Sequence, residues 1–179
     1  MNTLTTDRIE FIVPRWALTR NWNLPQEKPR SDLTQCVNAP YQIVSSCPSL
    51  QRRFFVPKLH FSDKELDFLT NVDFKDHVAL VAELNENGRS VIVGGGRYIM
   101  VHPGQAEMAF TVIDAYQGKG IGSVLMRHLI AIARDGALQE LIAEVLPENA
   151  PMLKLFSRFG FRTVASVDLQ VKHLALQLA

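Results

Sequence analysis

The stretch FTVIDAYQGKGIGSVLMRHL, residues 110–129, constrains the fold more than any other part of the chain. Its first residues continue a run that reads as a strand. From Ile121 onward, Ile121, Val124, Leu125, Leu129 and Ile132 recur at helical spacing. Between strand and helix lie Gly118, Lys119, Gly120 and Gly122. A strand that feeds through small residues into a helix presents unpaired backbone N–H groups at the positive end of the helix dipole, and phosphate is the natural guest there. A Cβ at Gly118, Gly120 or Gly122 would hold the anion off the backbone or block the dihedrals of the turn. The nucleotide-triphosphate loop G-x-x-x-x-G-K-[ST] does not fit, because Ile113 stands where its first glycine belongs and Gly120 follows Lys119. The dinucleotide fingerprint G-x-G-x-x-G also fails, with Ser123 in the last slot and several strands already behind it. What remains is Q-x-x-G-x-G, formed by Gln117, Gly120 and Gly122.

The surrounding pattern predicts a mixed sheet. HVALVAEL and SVIVGGGRYIMV are β-branched-rich runs joined by the turn signal NENG, hence a hairpin. Gly94, Gly95 and Gly96 inside the second run point to a bulge or to the close approach of another backbone. AEMAFTVID continues as a strand with Glu107, Ala109, Thr111 and Ile113 on one face and Met108, Phe110 and Val112 on the other. Gly136 marks the stop of the helix that follows, and ELIAEVL is a buried strand. ENAPMLKLFSRFGF reads as a helix with Asn149 as N-cap, Pro151 in its first turn and Gly160 at its end. FRTVASV and VKHLALQL are two further strands. Upstream, Ser62 and Glu65 have the form of a capping box that opens a short helix. Residues 1–46 carry no sustained period beyond a short strand in DRIEFIV, and Trp16 and Trp22 read as packing residues. Strands and helices alternate only in the middle, with hairpins at both ends, which argues for a mixed sheet covered by helices.

Composition narrows the class. A chain of 179 residues suits one domain, and a net charge of +1 gives no general polyanion-binding surface, so nucleic acid is not an expected partner. Cys36 and Cys47 show no metal-ligand spacing and read as free thiols, and no metal is expected. The N-terminus lacks the order of a secretory signal, and no apolar run approaches the ~20 residues of a membrane helix. A cytoplasmic protein without a membrane partner is the expectation.

VIDAYQGKGIGSVLM, followed one strand later by AEVLPENAPMLKLFSRFGF, resembles the GNAT superfamily of N-acetyltransferases. From about Arg52 onward, through RRFFVPKLHFSDKELDFLTNVDFKDHVALVAEL, GGGRY and AEMAFTV, the chain is similar to the acetyltransferase domain of bacterial Pat-type protein lysine acetyltransferases. The resemblance implies an α/β (α+β) fold, a mixed, mostly antiparallel twisted sheet of six to seven strands flanked by about four helices. It divides the chain into an extension, 1–46, and an acetyltransferase domain, 47–179. Acetyl-CoA is the implied cosubstrate, its pyrophosphate on the turn of Gln117, Gly118, Lys119, Gly120, Gly122 and Ser123, with Asn149 at the pantetheine. The backbone N–H near Phe110 is implied to serve the thioester carbonyl, and Val112 and Ile113 to pair with the pantetheine arm.

The implied acceptor is a primary amine such as a protein lysine, whose ammonium has a pKa near ~10.4 and needs a base. Glu107 is the leading candidate through the Pat-type resemblance. Glu144, Glu148 and His77 are rivals: Glu144 also reads as an ordinary outward strand residue, Glu148 as a carboxylate favoured beside a helix N-terminus, and His77 as structural. Many GNAT enzymes protonate the leaving thiolate with a tyrosine whose slot here holds Phe156, which has no proton to give, and Tyr116 lies beside the pyrophosphate end. A small-molecule amine acetyltransferase would share every cofactor residue and differ in loops around Phe54, Asp73 and His77, and a non-catalytic acyl-CoA sensor would keep the turn and lose the base. A homodimer is compatible with all three readings.

Overall fold

The computed structural model describes residues 72–86, 89–165 and 170–178, together with Glu10–Phe11 and Lys64. Strands β1 (Glu10–Phe11), β2 (His77–Glu86), β3 (Arg89–His102), β4 (Gln105–Val112), β5 (Glu140–Val145), β6 (Arg162–Thr163) and β7 (Lys172–Gln177) form one sheet in the order β1-β2-β3-β4-β5-β7-β6. Every neighbouring pair is antiparallel except β4–β5, which is parallel. The two α-helices among the described residues are α1 (Ile121–Asp135) and α2 (Ala150–Arg158), and a 3-10 turn spans Asp114–Tyr116. This is the mixed, mostly antiparallel sheet expected from the sequence. The capping box at Ser62 and Glu65, both tryptophans and both cysteines lie outside the described residues.

One face of the sheet carries the core. On β4 the burial alternates, with Ala106, Met108 and Phe110 buried and Glu107, Ala109 and Thr111 half-buried, as period two requires. Val78, Leu80 and Ala82 on β2 and Leu141, Ala143 and Val145 on β5 join the buried set. Helix α1 lays Ile121, Leu125, Met126, Leu129, Ile130 and Ala133 against it, and α2 adds Phe156, edge-on to Phe110 at 5.9 Å and to Phe161 at 4.7 Å. Both helices therefore cover the face that holds Phe110.

The glycines of β3 have distinct causes. The β2–β3 register shifts between Ala82, opposite Gly94, and Glu83, opposite Ile92, which leaves Val93 as the extra residue of a bulge. A Cβ on Gly96 would lie 2.7 Å from two atoms of the Phe110 ring and 3.0 Å from Leu129 Cδ1, so α1 and the Phe110 ring occupy the space a side chain would take. At Gly94 the near atoms are Thr111 O at 3.0 Å, Val112 Cγ2 at 3.3 Å and Ile121 Cγ2 at 3.4 Å. Small residues here let the start of α1 sit close to the strands that carry the glycine turn.

Two boundaries differ from the sequence reading, and a third holds with a different residue in the left-handed conformation. AEMAFTVID ends as a strand at Val112, and Asp114 enters the 3-10 turn. Of FRTVASV only Arg162–Thr163 pair as strand within the described residues. Helix α1 does stop at Gly136, whose N–H donates to Ile132 O at 2.9 Å, but the left-handed residue is Ala137, with φ 56°. No helix among the described residues is long and apolar enough to cross a membrane.

Candidate active site

The parallel ladder between β4 and β5 is short. It pairs Gln105 with Glu140, Ala106 with Leu141 and Glu107 with Ile142, then ends, although β4 continues to Val112 and β5 to Val145. The two strands part beyond Glu107, and the opening is a cleft of about 380 Å³. Antiparallel ladders alternate the side to which backbone groups point. Because Ile113 N–H donates to Val93 O at 3.0 Å, the odd-numbered residues of β4 turn their backbone groups to β3. Phe110 and Val112 turn theirs the other way, toward the gap.

Ile113 corrects one expectation. Its N–H is held by Val93 and its carbonyl accepts from Tyr116 N at 2.8 Å, so its backbone serves the turn rather than a pantetheine arm, and it is absent from the cleft wall. The Val112 carbonyl accepts from Gln117 Nε2 at 3.0 Å, and the same amide donates to Asp114 Oδ1 at 2.7 Å. The Gln117 side chain thus ties the glycine turn to the end of β4.

The turn presents its backbone to the cleft. Gly118 and Gly120 have φ of 74° and 88°, the left-handed region that only glycine enters without strain. A Cβ at either would meet no protein atom within 4 Å, so the space beside them is open. Gly120 is the N-cap of α1 and offers no side-chain cap to the first-turn N–H groups, which leaves them for an anion. Gly122 departs from the expectation: a Cβ there would lie 3.1 Å from Leu155 Cδ2, so its smallness lets α1 approach α2. Ser123 lines the cleft beside it. Lys119 does not; its Nζ stands 4.9 Å over the ring of Tyr116, and Tyr116, which does line the cleft, is a wall residue that sequence reasoning set aside.

Across the gap, Asn149 opens α2 as its N-cap, buried, its Oδ1 accepting from Met152 N at 3.4 Å. Phe156 lines the cleft from the aromatic cluster with Phe110 and Phe161, and its position follows from core packing. Lys154 and Arg158, four residues apart on α2, also border the cleft. Sequence reasoning missed them, although the spacing of four that puts two residues on one helix face was legible.

Of the carboxylates, Glu107 sits at the apex of the split and Glu144 farther along β5, and both line the cleft. Glu148 is exposed and outside the lining. His77 is also outside it. Its backbone N–H donates to Asp73 Oδ1 at 2.8 Å, an oxygen that takes the N–H groups of Lys75 and Asp76 as well, each at 2.9 Å. These bonds, that to His77 first, hold the Asp73 carboxyl below its usual range. Burial and then the Arg97 charge, opposed by Asp73, bring the His77 pKa down to about 4, so Nε2 is an acceptor for Arg97 Nη1 at 3.2 Å. His77 is a structural neutral imidazole at the start of β2.

Known proteins are similar to this chain in sequence and in fold. The sequence model of the acetyltransferase (GNAT) family matches residues 43–161. The acetyltransferase Pat of Mycolicibacterium smegmatis is 32% identical over 150 residues, 83% of this chain and 44% of that protein. The crystal structure of the GNAT domain of Streptomyces lividans PAT superposes with a TM-score of 0.73 at 33% identity, covering 82% of this chain and 85% of that one. A Salmonella typhimurium structure solved with its cofactor acetyl-CoA shares the fold, with a TM-score of 0.63 at 22% identity over 85% of this chain and 91% of that one. The chain spans about half the length of the curated relatives that it matches. With the family match running through the strands, the split and the glycine turn, this chain belongs to the GNAT acetyltransferase family.

Proposed function

We propose that this chain is an acetyl-CoA-dependent N-acetyltransferase whose acceptor is a primary amine, specifically a protein lysine, with residues 47–179 as its catalytic domain. One observation carries the reading: a single cleft joins an open, left-handed glycine turn at a helix N-terminus to a glutamate at the apex of two parting strands. The chain's residues fit the cosubstrate. The empty space beside Gly118 and Gly120 suits a pyrophosphate on backbone N–H groups, and Lys154 and Arg158 add positive charge to the same cleft. The backbone of Phe110 and Val112 faces the gap, where an extended amide-bearing arm would take the place of the missing β5 ladder.

Acetyl-CoA supplies an activated acetyl thioester. The Phe110 N–H is the donor nearest the apex on the gap side of β4 once the ladder has ended, and such a donor at a developing oxyanion is worth about 2.7–4 kcal/mol. Glu107, half-buried and lining the cleft at the apex, takes a proton from the acceptor ammonium directly or through one water. Phe156 contributes shape and no proton, so the departing thiolate draws its proton from water or from the attacking nitrogen. The kinship with Pat proteins supports a protein lysine as acceptor.

The test is release of free CoA thiol with lysine peptides, folded proteins and polyamines, in the parent and in Glu107→Gln. Lysine acceptors should give the higher kcat/KM, and Glu107→Gln should lose about 10²–10⁴-fold in rate at neutral pH with its acetyl-CoA affinity kept. The loss should shrink at high pH, where the amine is already partly neutral. A Gln variant that retains most of its neutral-pH activity would remove Glu107 from the chemistry, and spermidine far exceeding every lysine substrate would replace the acceptor assignment.

A further inference from the structure

The cleft separates its charges by face. Residues paired across neighbouring strands share a face of the sheet, so the Glu107–Ile142 pair puts Glu107 and Ile142 on one side, and Glu144, two residues along β5, on that same side. The helices α1 and α2 cover the opposite face, where Phe110 meets Phe156. The two cleft-lining carboxylates among the described residues, Glu107 and Glu144, therefore stand on one face, while the cleft-lining cations Lys154 and Arg158 belong to α2 on the other. The basic side suits phosphates, and the acidic side suits an ammonium.

Glu144 also has a dedicated neighbour. It pairs with His173 across β5–β7, and His173 Nδ1 lies 3.5 Å from Glu144 Oε1. The Glu144 side chain is 41% exposed and that of His173 is 28% exposed, so the imidazole backs a carboxylate that reaches solvent. Among the described residues the His173 Nε2 atom is buried without a hydrogen-bond partner. A polar atom left in this way is destabilising, less so as a lone pair than as an N–H, which favours the tautomer with its proton on the other nitrogen. That nitrogen faces Glu144.

We propose that Glu144 is a specificity residue that anchors the acceptor as an ammonium at the β5 lip of the cleft, and that His173 is the positioning residue that fixes its carboxylate. The inference rests on the reading of the cleft as an amine acetyltransferase site. No proton moves at the anchor; the acceptor stays charged until it reaches Glu107, which lies toward the apex on the same face. An acceptor with positive charge at or beside its reacting nitrogen is selected over a neutral amine of the same size.

Initial rates with a lysine peptide at saturating acetyl-CoA, together with calorimetric acetyl-CoA binding, test this. Glu144→Gln should raise the acceptor KM about three- to fivefold, with kcat within about 1.5-fold and acetyl-CoA affinity unchanged, the scale of one partly exposed charge contact. Added salt should raise the parent's acceptor KM and leave that of the variant nearly flat. His173→Asn, which keeps an amide N–H near the place of Nδ1, should hold the parent KM, whereas His173→Phe should reproduce the Glu144→Gln effect. An unchanged KM in Glu144→Gln would overturn the anchor. A loss confined to kcat would overturn it too, and would give Glu144 a part in the chemistry. Equal KM values in His173→Asn and His173→Phe would overturn the positioning role. A parent that binds acetyl-CoA yet acetylates no amine would overturn the reading of the site itself, and the anchor with it, a result distinguishable from normal turnover insensitive to Glu144→Gln.

Discussion

Replacing Gly120 by alanine separates the two demands placed on the glycine turn. The residue has φ 88° and ψ −4°, and a methyl group there would meet no protein atom within 4 Å. Packing therefore contributes nothing, and the stability cost is conformational, about 1–2 kcal/mol for an L-residue held in the left-handed region. Part of this is offset by the smaller entropy of the unfolded alanine chain, about 0.4–1 kcal/mol, so a net loss of about 1 kcal/mol in urea unfolding is expected. Binding should suffer separately. The first-turn N–H groups of α1 have no intrahelical acceptors, and a methyl pointing into the open space beside them displaces a bound pyrophosphate from at least one. A hydrogen bond to a charged group is worth about 1.5–3 kcal/mol net, which corresponds to roughly 10–150-fold in Kd. Calorimetric titration with acetyl-CoA reads the second quantity and urea denaturation the first. A folded variant about 1 kcal/mol less stable that binds acetyl-CoA within about twofold of the parent would refute the placement of the pyrophosphate on this turn. Gly120→Glu, which adds charge as well as bulk, should abolish binding.

Two further outcomes follow from packing and titration. Gly96→Ala forces a methyl to within 2.7 Å of the Phe110 ring, so it should cost about 1–3 kcal/mol in chemical unfolding by overpacking; a loss below about 0.5 kcal/mol would mean that the ring moves freely. His77 has a folded-state pKa of about 4 against an ordinary 6.5, so the unfolded state binds the extra proton and stability rises with pH across that window. Its contribution should be complete above pH 6.5 and lost progressively as the pH falls toward 4, up to about 3 kcal/mol at ~1.4 kcal/mol per pKa unit. His77→Gln should flatten the difference in urea midpoint between pH 7.5 and pH 5, and an unchanged difference would remove His77 as its source.

Much of the site was legible in the residue order because its elements are local. The strand, the Gln117–Gly122 turn and the helix from Ile121 are contiguous, and each carries its own signal: alternation, glycine spacing and a 3.6-residue period. The same holds for Asn149, Pro151 and Gly160, which cap and stop α2 as expected. The turn glycines could be read by conformation, since φ at Gly118 and Gly120 is a property of the chain itself. Gly122 and Gly96 could not, because the atoms that exclude their side chains, Leu155 Cδ2, Leu129 Cδ1 and the Phe110 ring, arrive from elsewhere in the fold. Tertiary structure also decided where the β4–β5 ladder stops. The β3–β4 register holds Ile113 to Val93 and turns the backbone of Phe110 and Val112 the other way, and the end of the β5 ladder leaves that side open and puts Glu107 at the apex. Tertiary structure likewise decided which of the candidate side chains line the cleft: Glu107 and Glu144 do, the latter with His173 behind it, while Glu148 stays outside and His77 is turned to Arg97. Periodicity assigns a side chain to a face, but which strands are neighbours, and in what register, is set by packing the whole sheet against α1 and α2.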